Sequence, residues 1–183
     1  SEIIVPMDTP GVQVLPIKDM TTNQHFCEVV LDDVRVPATN LVGQLNGSWR
    51  QTMGQLEHER GGIDRLVSNK ALYRDALPFA DTSDSRVRQE IARIETAYKI
   101  GRLLVVKGVL GQGLPGSSAI TKTFGTEFEQ RVASFVGRTL GPAATLWGRW
   151  ARGMCYAPAY TIMGGTSNVM RNIVAERILG LPR

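Results

Sequence analysis

The stretch Val87–Gly108, VRQEIARIETAYKIGRLLVVKG, decides the fold. Along it Val87, Ile91, Ile94, Tyr98, Gly101, Val105 and Gly108 follow one another at alternating steps of four and three. Residues three and four apart share one face of an α-helix, so this spacing predicts a helix with one stripe packed in a bundle. Gly101 and Gly108 lie on that stripe, although each costs a helix about 1 kcal/mol relative to alanine. Their place there implies that a second helix comes close.

Working outward, Asp81-Thr82-Ser83-Asp84 supplies loop and N-cap chemistry before this helix. Gly111 to Gly116, with Pro115, breaks the chain after it. A further helix is expected from Ser117 or Ser118, with Ile120, Phe124, Phe128, Val132, Phe135 and Leu140 inward, stopped by Gly141-Pro142. Residues 143–163 are less regular, with a break expected at Pro158. Gly164-Gly165-Thr166-Ser167 turns into a last helix, Asn168–Leu179, ended by Gly180 and Pro182. Upstream, Ser48 caps a helix with Trp49, Met53, Leu56, Ile63, Val67 and Ala71 on one stripe. Residues 1–46 read instead as short strands: Ile3–Met7, Val12–Ile17 and His25–Val36, the last carrying a turn or bulge at Asp32-Asp33. Pro16 cannot donate a ladder bond and marks an edge strand. The expected class is mainly α, an antiparallel up-and-down bundle over residues 47–183, preceded by a few strands over residues 1–46. The start, Glu2–Met7, is already strand-like and suggests a chain cut inside a domain.

Composition narrows the function. The 183 residues are 43% hydrophobic, enough for a sizeable core. The net charge is +4, but the 21 Lys and Arg are scattered, and no run of like charge suggests a nucleic-acid arm. No stretch approaches the roughly 20 apolar residues of a membrane span. Cys27 and Cys155 are far apart, which fits two free thiols in a reducing, cytoplasmic setting. His25 and His58 cannot build a histidine-rich metal site, so no metal is expected.

Two features could carry chemistry. The stripe of the first helix should continue at position 59 or 60, where Glu59 and Arg60 stand. A charge on a face that ought to be buried is costly unless paired. An ion pair of Glu59 with Arg60, or with an arginine of another helix, is the structural alternative. The functional reading is a carboxylate aimed into a pocket, where desolvation strengthens it as a base. Gly61-Gly62 would either clear space for a ligand or simply kink the helix. The second feature is the turn Gly164–Asn168, which delivers backbone N–H groups at a helix N-terminus and so suits anions and carbonyl oxygens. Thr166 and Ser167 are also competent N-caps with no ligand. Arg171, Glu176 and Arg177 read as a solvated face or an intersubunit ion pair. Trp147, Trp150, Tyr156 and Tyr160 read as core or interface.

These residues together resemble the acyl-CoA dehydrogenase family. Glu28–Pro37 looks like the segment closing its middle β-domain, and Asn40-Leu41-Val42-Gly43 with Gly47-Ser48-Trp49 looks like the passage into its C-terminal bundle. Gly164–Arg183 resembles the family's closing signature. The resemblance covers essentially the whole chain. It implies FAD-dependent oxidation of an acyl-CoA to the 2,3-enoyl-CoA, with a glutamate taking the α-proton. In many members that base stands where Gly164 stands here. In another branch it lies on the first helix of the bundle, before an arginine, which Glu59-Arg60 matches. Glu57 is the nearby competitor. The resemblance makes Arg60 a substrate-binding residue and gives the Gly164 N–H the thioester carbonyl. It places Thr166 and Asn168 against FAD, and Gly141 in the cofactor loop. Two departures stand out. Tyr73-Arg74-Asp75-Ala76-Leu77 replaces the usual Arg-x-x-Phe-Gly, and Leu140-Gly141-Pro142-Ala143-Ala144 replaces Gln-x-x-Gly-Gly-x-Gly. Some bacterial members with similar departures assemble from two different subunits and share flavin sites. The expected partners are an acyl-CoA, electron-transfer flavoprotein as acceptor, and further subunits in a homo- or hetero-oligomer. A non-catalytic scaffold subunit completing a partner's flavin site is the alternative. Nitroalkane or acyl-CoA oxidase chemistry is a third reading.

Overall fold

The computed structural model describes residues 1–182 and, of Arg65, the backbone alone. It divides into two compact units, Ser1–Leu56 and Glu57–Arg183. Arg183, the last residue of the closing signature, lies outside the described residues.

The first unit holds four short strands and the start of helix α1 (Ser48–Arg60). Strands β1 (Glu2–Ile3) and β4 (Leu41–Val42) pair antiparallel, with Glu2 opposite Val42. Strands β2 (Val12–Ile17) and β3 (Phe26–Leu31) form an antiparallel ribbon running from Val12 opposite Leu31 to Ile17 opposite Phe26. Apolar side chains on both its faces, among them Val14, Leu15, Phe26 and Val29, are exposed. The Gln51 amide ties α1 to the other pair, donating to Glu2 Oε2 and to the Val42 carbonyl, each at 3.2 Å.

The second unit is helical. After α1 come the short α2 (Asp64–Val67) and α3 (Lys70–Ala76), then the long α4 (Ser85–Val109) and α5 (Ser117–Leu140). Helices α6 (Arg149–Tyr160) and α7 (Ser167–Ile173) follow, and α7 runs into a wider π-type turn over Val174–Ile178. Its mark is the Leu179 N–H donating five residues back to the Val174 carbonyl at 3.0 Å. Helix α5 is the axis of the bundle, with eleven buried residues. Leu66, Tyr73, Ile94, Tyr98, Phe128, Val132 and Phe135 make the apolar core. The ring of Tyr98 meets that of Phe128 edge-on at 4.6 Å. The mainly helical architecture expected from the stripe spacing is therefore what the chain adopts, with Ile94, Tyr98 and Gly101 buried on the α4 stripe.

Four expectations need correction. The first long helix does not continue to Ala71. It ends at Arg60, where Gly61-Gly62 withdraw helix propensity and the Gly61 N–H closes a tighter turn onto the His58 carbonyl. The face of α1 is not buried either, and Trp49 is 76% exposed. Close approach holds for Gly101, where an added methyl would lie 2.3 Å from Leu66 Cδ1, but at Gly108 nothing lies within 4 Å. Pro158 does not break the helix. It sits in the last turn of α6, two residues before the helix ends, and its carbonyl accepts from the Thr161 hydroxyl at 3.0 Å.

The interior of α5 is also more polar than its apolar positions foretell. Lys122, Thr126 and Glu129 are fully buried on it. Glu129 Oε2 accepts from the Asn69 N–H at 2.6 Å, and the Asn69 amide donates to the Glu129 carbonyl at 3.1 Å. Residue 69 begins α3, so this carboxylate satisfies a helix N-terminus from a neighbouring helix. Burial nevertheless pushes the Glu129 carboxyl up to about 7, against the lowering effect of the Asn69 and Ser68 N–H groups.

Candidate functional site

The end of α1, Glu57-His58-Glu59-Arg60, presents four ionisable side chains in four residues, and the structure gives two of them different tasks. Glu57 Oε1 accepts the Gly116 N–H at 2.7 Å. Gly116 is the N-cap of α5, which has no side-chain cap of its own, so Glu57 serves as that cap and complements the helix dipole. Glu59, two residues on, is exposed. The expectation of a buried carboxylate is thus not met. Arg60 is half-buried and turns inward, where its Nε donates to the Gly164 carbonyl at 3.2 Å. At Gly61 an added methyl would find nothing nearer than 3.8 Å, whereas at Gly62 it would meet the Asp64 carboxylate at 2.2 Å. A methyl would therefore fit in ordinary contact with His58 and Ser118 at the first glycine and would press on a carboxylate at the second.

Opposite lies the glycine turn. Gly164 and Gly165 have φ of +65° and +95°, left-handed values that side chains with a Cβ resist. A methyl on Gly165 would sit 2.6 Å from Met170 Cε, so the turn also needs the missing volume. Both carbonyls are held by cations: Gly164 by Arg60, and Gly165 by Lys122, whose Nζ donates at 2.5 Å. Lys122 comes from the buried face of α5 and has no exposed surface. Among the described residues, the N–H groups of Gly164, Gly165 and Thr166 make no hydrogen bond, while the Ser167 N–H goes to the Thr161 carbonyl at 2.9 Å. Thr166 caps α7, its Oγ1 accepting the Val169 N–H at 3.2 Å. Ser167 Oγ is buried with no hydrogen-bond partner among the described residues. Three unspent N–H donors and an orphaned hydroxyl form a set suited to acceptor oxygens, which a thioester carbonyl and a dinucleotide cofactor both carry.

The remaining expected site residues lie apart. Asn168 is exposed on the first turn of α7. Gly141 ends α5 with open space where a side chain would stand. Arg171 is not left for an intersubunit pair; it pairs with Glu127 of α5. In the replaced Arg-x-x-Phe-Gly segment, Tyr73 is buried and Asp75 pairs with Arg149 at 2.5 Å. Sequence reasoning missed Lys122 and the Ser167 hydroxyl. Lys122 sits four residues before Thr126 and seven before Glu129 on one α5 face, a polar stripe that could have signalled it. Among the described residues, no group of three or more His, Cys, Asp or Glu could hold a metal ion. No described helix is long and apolar enough to cross a membrane.

Known proteins match this arrangement. The model of the acyl-CoA dehydrogenase C-terminal domain matches residues 46–179. Acyl-CoA dehydrogenase IpdE1 of Mycobacterium tuberculosis (strain ATCC 25618 / H37Rv) is 31% identical over all of this chain and 51% of its own length. The solved Tcur3481-Tcur3483 steroid ACAD is 30% identical with a TM-score of 0.81, covering 99% of this chain and 52% of its own. The ChsE4-ChsE5 complex from Mycobacterium tuberculosis is 29% identical with a TM-score of 0.82, covering 99% and 53%. The chain spans about half the length of the curated relatives it matches. With a domain match over most of its length and a relative of this identity across all of it, the chain belongs to the acyl-CoA dehydrogenase family.

Proposed function

We propose that this chain carries the catalytic base of an acyl-CoA dehydrogenase, and that Glu59 is that base. The observation that supports it is the bond from Arg60 to the Gly164 carbonyl. It draws the residue next to Glu59 onto the turn whose N–H groups are unspent. Glu57, the competing carboxylate, is committed to the start of α5. The reaction needs a base at the α-carbon and donors at the thioester carbonyl. Glu59 takes the α-proton. The Gly164 N–H accepts none of the chemistry itself but polarises the carbonyl, which acidifies that proton. Arg60 holds the turn and contributes positive charge beside the acyl-CoA. The unspent donors and the Ser167 hydroxyl fit FAD, with Thr166, Asn168 and Gly141 as the residues of this chain that would hold it. FAD supplies the acceptor for the β-hydride. On this reading residues 1–46 are the end of the middle β-domain and residues 47–183 the bundle. The ribbon with apolar side chains on both faces is the kind of element a larger β-domain would cover.

The acyl group we propose is bulky. What supports this is that a 30% identical relative is described as a steroid ACAD. Electron-transfer flavoprotein is the proposed acceptor. Two solved relatives have two named components, Tcur3481-Tcur3483 and ChsE4-ChsE5, which favours a hetero-oligomer over a homo-oligomer. The same observation supports a second reading, a scaffold subunit that completes its partner's flavin site.

An anaerobic visible spectrum of the full-length protein, with its partner subunit, separates the two. With acyl-CoA the native flavin bleaches, and Glu59→Gln keeps its flavin but does not bleach. Equal bleaching in both proteins would move the base to another chain.

A further inference from the structure

We infer that Lys122 is a positioning residue for the substrate-facing donors of the glycine turn; this rests on the reading that the turn receives the thioester carbonyl. The geometry is specific. Gly164 and Gly165 are the two most freely rotating residues of the segment, and both stand at positive φ. A pair of glycines without tertiary contacts would sample many orientations of its peptide planes. Here each plane is held by a cation from a different helix. Arg60 of α1 takes the Gly164 oxygen and Lys122 of α5 takes the Gly165 oxygen. A peptide's N–H points opposite to its C=O. Fixing the Gly164 oxygen therefore aims the Gly165 N–H, and fixing the Gly165 oxygen aims the Thr166 N–H, away from the cations. The Gly164 N–H belongs to the preceding Met163–Gly164 peptide, which neither cation touches, and it is steadied only through the turn that follows it. These are the three donors that bond nothing else among the described residues.

The choice of lysine supports a role beyond filling space. Lys122 is fully buried in the middle of a helix bundle. Burying an ammonium is costly, and a methionine of similar length would occupy the same volume without that cost. What methionine lacks is a charged donor. A cation on a carbonyl oxygen also polarises the peptide, so the N–H on its far side becomes a stronger donor. Lys122 acts through the turn and need not touch the acyl group.

The test uses the full-length, flavin-loaded protein with its partner subunit. Two probes are titrated, 2-octenoyl-CoA and its S-(2-octenyl)-CoA thioether, and binding is read from the flavin absorption. They differ in the carbonyl that the turn would hold, so the ratio of their affinities reports the donors rather than the site as a whole. Displacing a preorganised donor should lower this ratio about tenfold in Lys122→Met. Lys122→Arg, which keeps a charged donor, should restore part of it. A folded Lys122→Met with the native ratio, or with both affinities reduced equally, would show a purely structural lysine and overturn the inference. Should Lys122→Met not fold, the ratio in Lys122→Gln carries the test, a fall of about threefold supporting the role and no change refuting it. Normal bleaching by Glu59→Gln would remove Glu59 as base without touching the Lys122 result, so the two ideas fail separately.

Discussion

Arg60 donates its Nε–H to the carbonyl oxygen of Gly164 at 3.2 Å, across 104 residues of sequence. The bond joins the two places where the chain carries unexpected chemistry: a charged break in an apolar helix stripe, and a glycine pair at the mouth of a helix. A half-buried, charge-assisted bond of this kind contributes about 1.5–3 kcal/mol. Arg60→Met should therefore slow anaerobic flavin reduction by about one to two orders of magnitude, with a smaller effect on melting temperature. Arg60→Lys should recover little, because a lysine cannot offer the fixed guanidinium geometry. Stopped-flow reduction of the flavin in the full-length protein measures both.

The glycine turn should be intolerant of any side chain at Gly165. Its φ of +95° disfavours alanine, and the methyl would press on Met170 Cε at 2.6 Å. Gly141, also at positive φ, faces open space. Gly165→Ala should lose far more flavin-reduction rate than Gly141→Ala, while Gly141→Ala should mainly show a modest fall in melting temperature. Equal rates in the two variants would mean that the turn is not part of the site.

Two glycines of α4 should respond to alanine with opposite signs. At Gly101 the methyl would lie 2.3 Å and 2.5 Å from the two Leu66 methyl carbons, so α2 must shift. Overpacking of this kind costs about 1–3 kcal/mol, more than alanine's helix preference returns. At Gly108 nothing lies within 4 Å, and Gly108→Ala should gain about 0.5–1 kcal/mol. Urea unfolding of both variants gives the comparison directly.

Glu129 should make stability depend on pH. Its carboxyl is raised from an ordinary 4.5 to about 7 in the folded chain, chiefly by burial. A raised carboxyl favours the protonated form, so its stabilising effect is complete below about 4.5 and is lost as pH rises through about 7. The difference across that window is about 3 kcal/mol. Glu129→Gln keeps an acceptor for the Asn69 N–H without the charge. Its melting temperature should vary less between pH 5 and 8 than the native protein's (a window set by the same raised carboxyl). Identical pH profiles for the two proteins would show that the carboxyl is not buried in the charged form.

Much of the architecture was legible in the chain. The alternating steps from Val87 to Gly108 predicted α4 and its buried stripe, because a helix core reads as periodicity. Gly111–Gly116 and Gly141-Pro142 marked the ends of α5, because glycine and proline act on the local backbone. Family likeness was legible too, in the closing segment from Gly164. Tertiary structure decided what periodicity cannot express. It gave Glu57 to the N-terminus of α5, separating two carboxylates that look alike in sequence. It put Lys122 and Glu129 inside the bundle, where carbonyl and N–H groups from distant segments satisfy them. A sequence records which residues can be charged, but the partners that make burial of a charge tolerable exist only once the helices have packed.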